Sequence, residues 1–110
     1  MEQPVIIHSL GDARQAFEKS SGSIVLMSAP NATASLGVVG FLEMVTAAAA
    51  EYAHREFIAI LDCGDQAGLA MNALRLGAKD ICVDLPQDVR TKIEDIAKQC
   101  GARLHDRPNS

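Results

Sequence analysis

A chain of 110 residues, 48% of them hydrophobic and with a net charge of −4, is long enough for one core without a structural metal or a disulfide framework. Its acidic balance argues against nucleic-acid and anionic-membrane partners, which need clustered Lys and Arg, and with no Trp, one Tyr and three Phe it supplies few platforms for stacking bases. The segment Met1 to Ile7 has no basic stretch and an apolar run too short for a signal peptide or a membrane span, so the expected location is cytoplasmic.

In chain order, Val5-Ile6-Ile7-His8 reads as a first strand. Ser9, with Asp12 three residues on, starts a helix through Lys19 whose stripe is Ala13, Ala16 and Phe17. Ser23 to Ser28 is a continuous apolar run, as expected of a strand covered on both faces. A turn-rich connection from Ala29 to Gly37 leads into a helix from about Val38 to Ala53. At helical spacing Val38, Phe41, Leu42, Val45, Ala48, Ala49 and Tyr52 share one face, yet Val39, Met44, Ala47 and Ala50 lie off it. A helix apolar around so much of its circumference needs a second covering surface, and a second subunit through the helix at 38–53 is the expectation.

Phe57 to Asp62 is the third strand, followed by the turn Cys63-Gly64-Asp65 and a helix from about Gln66 to Leu76, closed by Gly77. Asp80 to Leu85 is the fourth strand, with Ile81, Val83 and Leu85 on one face and Asp80, Cys82 and Asp84 on the other, a pattern suited to a place near an edge. Pro86 opens the last helix, with Val89, Ile93, Ile96, Ala97 and Cys100 in its stripe and Gly101 at its end. Ala102 to His105 forms a short fifth strand. The reading is one α/β domain over 1–105 and a loose tail over 106–110.

Parallel strands release their loops along one rim, so His8, Ser28, Asp62, Cys63, Asp65 and Asp84 are expected there, bordered by the Ser28–Gly37 loop. Asp62 beside Asp65, with Asp84 and His8, could divide acid and base roles or hold a divalent cation. The plainer reading is that Asp62 ends its strand, Asp65 caps a helix and His8 is a solvated loop residue; no metal-site spacing is present. Cys63 gains from the following helix N-terminus but suffers from Asp62 and Asp65, which favours an unreactive thiol. Cys82 and Cys100 read as buried core residues, and with an odd number of widely spaced cysteines no disulfide is expected. Ser28, Asn31, Thr33 and Ser35 belong to a long small-residue loop ahead of a helix, suited to an anion such as phosphate or carboxylate, although neither the P-loop nor the dinucleotide glycine pattern occurs.

Ala73 to Ile81, ending at Pro86, resembles the last third of response-regulator receiver domains, where a helix, Gly-Ala, a strand and a proline follow in this order; Asp62 stands where that family carries its phosphorylated aspartate. No acidic pair follows the first strand, and Leu85 stands where the family has lysine, so the resemblance implies the shape of the fold and not the activity.

The expected fold is a three-layer αβα sandwich with a mostly parallel sheet of four or five strands, in a flavodoxin-like 2-1-3-4-5 or a Rossmann-like 3-2-1-4-5 order. The first order sets His8 beside Asp62 and Cys63, the second beside Asp84. The expected function is a self-associating module that could bind a small anionic ligand at the strand ends, without a cofactor. The alternative is a small lyase, isomerase or phosphate-handling hydrolase using His8, Asp62, Asp65 and Asp84, which a divalent metal could assist.

Overall fold

The computed structural model describes residues 4–20, 22–29, 37–52 and 55–106. Strands and helices alternate through them: β1 (Val5–Ile7), α1 (Leu10–Lys19), β2 (Ile24–Ser28), α2 (Gly37–Ala50), β3 (Phe57–Gly64), α3 (Ala67–Arg75), β4 (Asp80–Val83), α4 (Gln87–Gln99) and β5 (Arg103–His105). The fold is α/β, and its five strands form one sheet in which every neighbouring pair is parallel.

Local chemistry accounts for the element ends. Ser9 caps α1, its Oγ accepting the N–H of Asp12 at 3.1 Å, while the Asp12 carboxylate accepts the N–H of His8 at 2.8 Å; two orphan donors at the helix start are thereby satisfied. The stripe of Ala13, Ala16 and Phe17 is buried as its spacing predicts. In α2 the buried residues are Val38, Phe41, Val45 and Ala48; of the off-face residues Val39, Ala47 and Ala50 are exposed, whereas Met44 is half-buried and packs against the main core. Gly77, with φ of 104°, takes the left-handed position after α3 that a side chain would strain.

β3 departs most from its sequence reading. It continues past Asp62 to Gly64, because the ladder with β4 shifts register between Asp62 and Gly64. Gly64 supports this bulge with φ of 55°, and bulges of this kind re-aim side chains at sheet rims. Asp65 is not a helix cap: the cap position of α3 is Gln66, with no side-chain cap hydrogen bond.

Strand order is β1-β2-β3-β4-β5, without the reversal that both expected orders contain. The consequence follows from handedness. Parallel crossovers are almost always right-handed, so when each step moves across the sheet in the same direction, each helix lands on the same face. Leu26 of β2, Leu61 and Cys63 of β3, and Ile81 and Val83 of β4 share one core with Ala13 and Phe17 of α1, Phe41 and Val45 of α2, Ala70 and Leu74 of α3, and Ile93 and Ala97 of α4. The opposite face holds a smaller cluster of strand residues, Met27, Ile60 and Cys82, with Val25 and Ile58 against it. Among the described residues no helix packs there, where the sandwich expected from the unbroken apolar strands has its third layer. Apolar runs announce burial on both faces but not what covers each one.

β4 lies next to the edge strand β5, near an edge as its alternation suggests, but all four of its residues are buried, so it lacks the less covered face that the alternation implies. The sheet edges are β1 and β5. On the helix-covered face the helices pack in two pairs, α1 with α2 and α3 with α4. The first pair is tied by Arg14 Nε donating to Glu51 at 2.7 Å, and a groove opens between α2 and the end of α3.

Candidate functional site

Because every strand is parallel, His8, Ala29, Asp65 and Asp84 follow β1 to β4 along one rim; of the six residues expected there, His8, Asp65 and Asp84 are in loops after strands, whereas Ser28 ends β2 and Asp62 and Cys63 lie within β3. Sequential order spreads them out. With strands about 4.8 Å apart, β1 lies about 10 Å from β3 and about 14 Å from β4, so neither of the pairings His8 with Asp62 or His8 with Asp84 is created by adjacency of strands.

The candidate side chains also point in different directions. His8 is a surface residue, with Nδ1 3.4 Å from an Asp12 carboxylate oxygen. Asp62 pairs with Cys82, whose side chain belongs to the helix-free face. Cys63 enters the main core, 2% exposed. Asp62 is buried, its Oδ1 accepting the N–H of Gly64 at 3.0 Å, which ties the carboxylate into the bulge. Asp65 and Asp84 are exposed, and the backbone N–H of Asp84 donates to the carbonyl of Gly64 at 2.8 Å. Among the described residues no group of three or more His, Cys, Asp or Glu side chains is placed to hold a metal ion.

Ser28, assigned from sequence to an anion-binding loop, is completely buried. Its Oγ accepts the backbone N–H of Asp62 at 2.9 Å. The β2–β3 ladder ends at the pair Met27 and Ile60, so this hydroxyl continues the connection by side chain after the backbones part. Asn31, Thr33 and Ser35 lie outside the described residues.

The cysteines are free thiols, with Cys63 and Cys82 buried and Cys100 only half-buried, against the expectation that it is core. Cys100 is the C-cap residue of α4, where the stripe runs out at the helix end. Burial pushes the Cys63 thiol up to about 12, and the neighbouring charges of Asp62 and Cys82 act in the same direction. A thiol that holds its proton so firmly is no nucleophile near neutrality.

A second constellation went unnoticed in the sequence. Asp80, 7% exposed at the start of β4, receives His105 Nε2 at 2.8 Å and an Arg103 guanidinium nitrogen at 3.1 Å on the same Oδ1. Register creates it, since Asp80 pairs with Arg103 and Cys82 with His105, and residues two apart on a strand share a face. In the sequence these residues are separated by a whole helix. The only sign available was the acidic residue opening an apolar strand, which needs a partner if it is buried.

The sequence matches no protein-family model and no curated protein.

Proposed function

We propose that the chain is a non-catalytic module that self-associates through the outer face of α2. The observation that carries this reading is the groove between the two helix pairs, lined by Val39, Leu42, Glu43, Thr46, Ala47 and Leu76. Val39 is 47% and Leu76 44% exposed, beyond what packing on the sheet requires of them. Thr46 turns its hydroxyl back to the Leu42 carbonyl at 2.8 Å, so it makes no polar demand on a neighbour. Small side chains at Ala47 and Ala50 let a second helix approach closely, and an isologous pairing covers the same patch on both copies at once.

The dispersal of the acid, base and thiol candidates supports a role without chemistry. A lyase, isomerase or hydrolase needs a nucleophile or base within hydrogen-bond reach of an acid, whereas Cys63 lies in the main core and Asp62 braces a bulge on the other face. Ser28, committed to the Asp62 amide, offers its acceptor to the fold.

Light scattering on the wild type and on Val39→Glu tests the proposal. The wild type should have a mass of two or more chains, and the charged variant, with unchanged circular dichroism, a smaller one. A wild type of one chain mass at every concentration would remove it.

A further inference from the structure

We propose that the outer edge of β1 is a separate self-association surface, where β1 of a second copy pairs antiparallel about a two-fold axis. Edge strands expose unpaired backbone groups and are ordinarily protected by charges, proline or a covering element. β1 has Pro4 at its N-terminal flank but carries no charge within its own residues and exposes Val5 and Ile6, 41% and 42% accessible. These two line a depression beside α1 together with Asp12, Gln15, Ala16 and Lys19. Pro4 has no N–H, which confines pairing on that side to Val5–Ile7, and a three-residue strand that pairs with itself has its centre at Ile6. Val5 then lies opposite Ile7 of the partner, and the two Ile6 side chains meet on the helix-free face.

The charges on α1 choose a second copy as the occupant. α1 runs back along β1 as the crossover to β2, which sets Asp12 near the C-terminal end of β1 and Lys19 near its N-terminal end. An antiparallel two-fold therefore brings each Asp12 opposite the partner's Lys19, with Gln15 near the axis. The spacing is also right. Two helices that each sit over a β1–β2 pair are about 10 Å apart across the seam, within the normal range for packed helices. Placed there, the partner's α1 covers Val5. The surface is on the opposite side of α1 from α2 and owes nothing to the Val39 groove; a chain that uses both two-fold surfaces assembles beyond a dimer.

The test starts from Val39→Glu, which silences the other surface. This protein should remain a dimer by light scattering, and adding Lys19→Glu, which sets a second carboxylate against Asp12 at two symmetric places, should weaken the dimer about ten-fold. Adding Asp12→Asn to that variant, which keeps a side-chain oxygen for the His8 N–H and removes the repulsion, should recover part of the affinity, with thermal melts showing that α1 is intact. In a Cys100→Ser background, Ile6→Cys should form a disulfide with its own copy on mild oxidation, since directly opposed residues of an antiparallel pair are within bridging range. A monomeric Val39→Glu protein, a dimer indifferent to Lys19→Glu, or no crosslink at position 6 would each overturn the β1 surface. If Val39→Glu has the same dimeric mass as the wild type, the α2 reading fails and the β1 surface stands.

Discussion

The hydroxyl of Ser28 accepts the backbone N–H of Asp62 across 2.9 Å in the interior of the sheet, and through it β2 keeps hold of β3 beyond their last backbone pair. Ser28→Ala leaves a buried donor without this acceptor, so unfolding should cost about 1–3 kcal/mol less than in the wild type. Chemical denaturation with an unchanged m-value would report it; a difference within error would show that the N–H finds another acceptor.

Arg55 is the corresponding brace at the other end of the sheet. Its guanidinium donates to the Phe17 carbonyl at 2.9 Å, to Ser20 Oγ at 2.9 Å and to the Gly22 carbonyl at 2.8 Å, and it stands 5.8 Å from the Phe17 ring centroid. It satisfies the Phe17 carbonyl near the end of α1 and the Gly22 carbonyl in the turn that follows. Lysine cannot reproduce this fork, so Arg55→Lys should destabilise by about 1–2 kcal/mol. A thermal melt that treats the two residues as equivalent would contradict this account of the α1 end.

Asp80 holds the terminal strand. β5 has three residues, and two of its side chains converge on one Asp80 oxygen. Asp80→Asn keeps the shape and removes the charge, and should lower stability by about 1–2 kcal/mol. Arg103→Ala should cost less, because its side chain is 65% exposed and exposed ion pairs contribute little. Amide exchange at 103–105 should accelerate more in Asp80→Asn than in Arg103→Ala; the reverse order would show that the arginine dominates.

The Cys63 thiol gives the fold an alkaline limit. Its folded value of about 12 lies above the ordinary 9.0. Below pH 9 the proton is bound in both states and stability is unaffected. Above it, the unfolded chain ionises while the folded chain does not, so stability should fall with a slope of up to about 1.4 kcal/mol per pH unit. Denaturation midpoints from pH 8 to pH 11 should show a shallower decline in Cys63→Ala than in the wild type. Equal slopes would mean that Cys63 is not the responsible group.

Much of the fold was legible because its signals are local. The apolar stripes of α1 and α4, the turn at Gly77 and the apolar cores of β2 and β3 follow from the spacing of residues within one element. What the sequence could not convey depends on neighbours in space. The alternation of strands and helices is the same for sequential, flavodoxin-like and Rossmann-like orders, so the helix-free face around Met27 and Ile60 could not be foreseen. The site suffered from the same blindness. A bulge at Cys63 moved Asp62 from a strand end into the sheet, and the Ser28 hydroxyl was taken up by a backbone that no local pattern connects to it. Asp80, Arg103 and His105 meet only through the β4–β5 register. The excess of apolar residues in α2, by contrast, was visible at once, and Val39 and Ala47 are indeed on its outer side.

The most direct test of self-association through α2 is amide hydrogen exchange followed by mass spectrometry, comparing dilute with concentrated protein. Raising the concentration should slow exchange in peptides covering 37–50 and the end of α3 around Leu76, and Val39→Glu should abolish the effect there. Exchange in those peptides that is the same at all concentrations, while the protein remains folded, would contradict it.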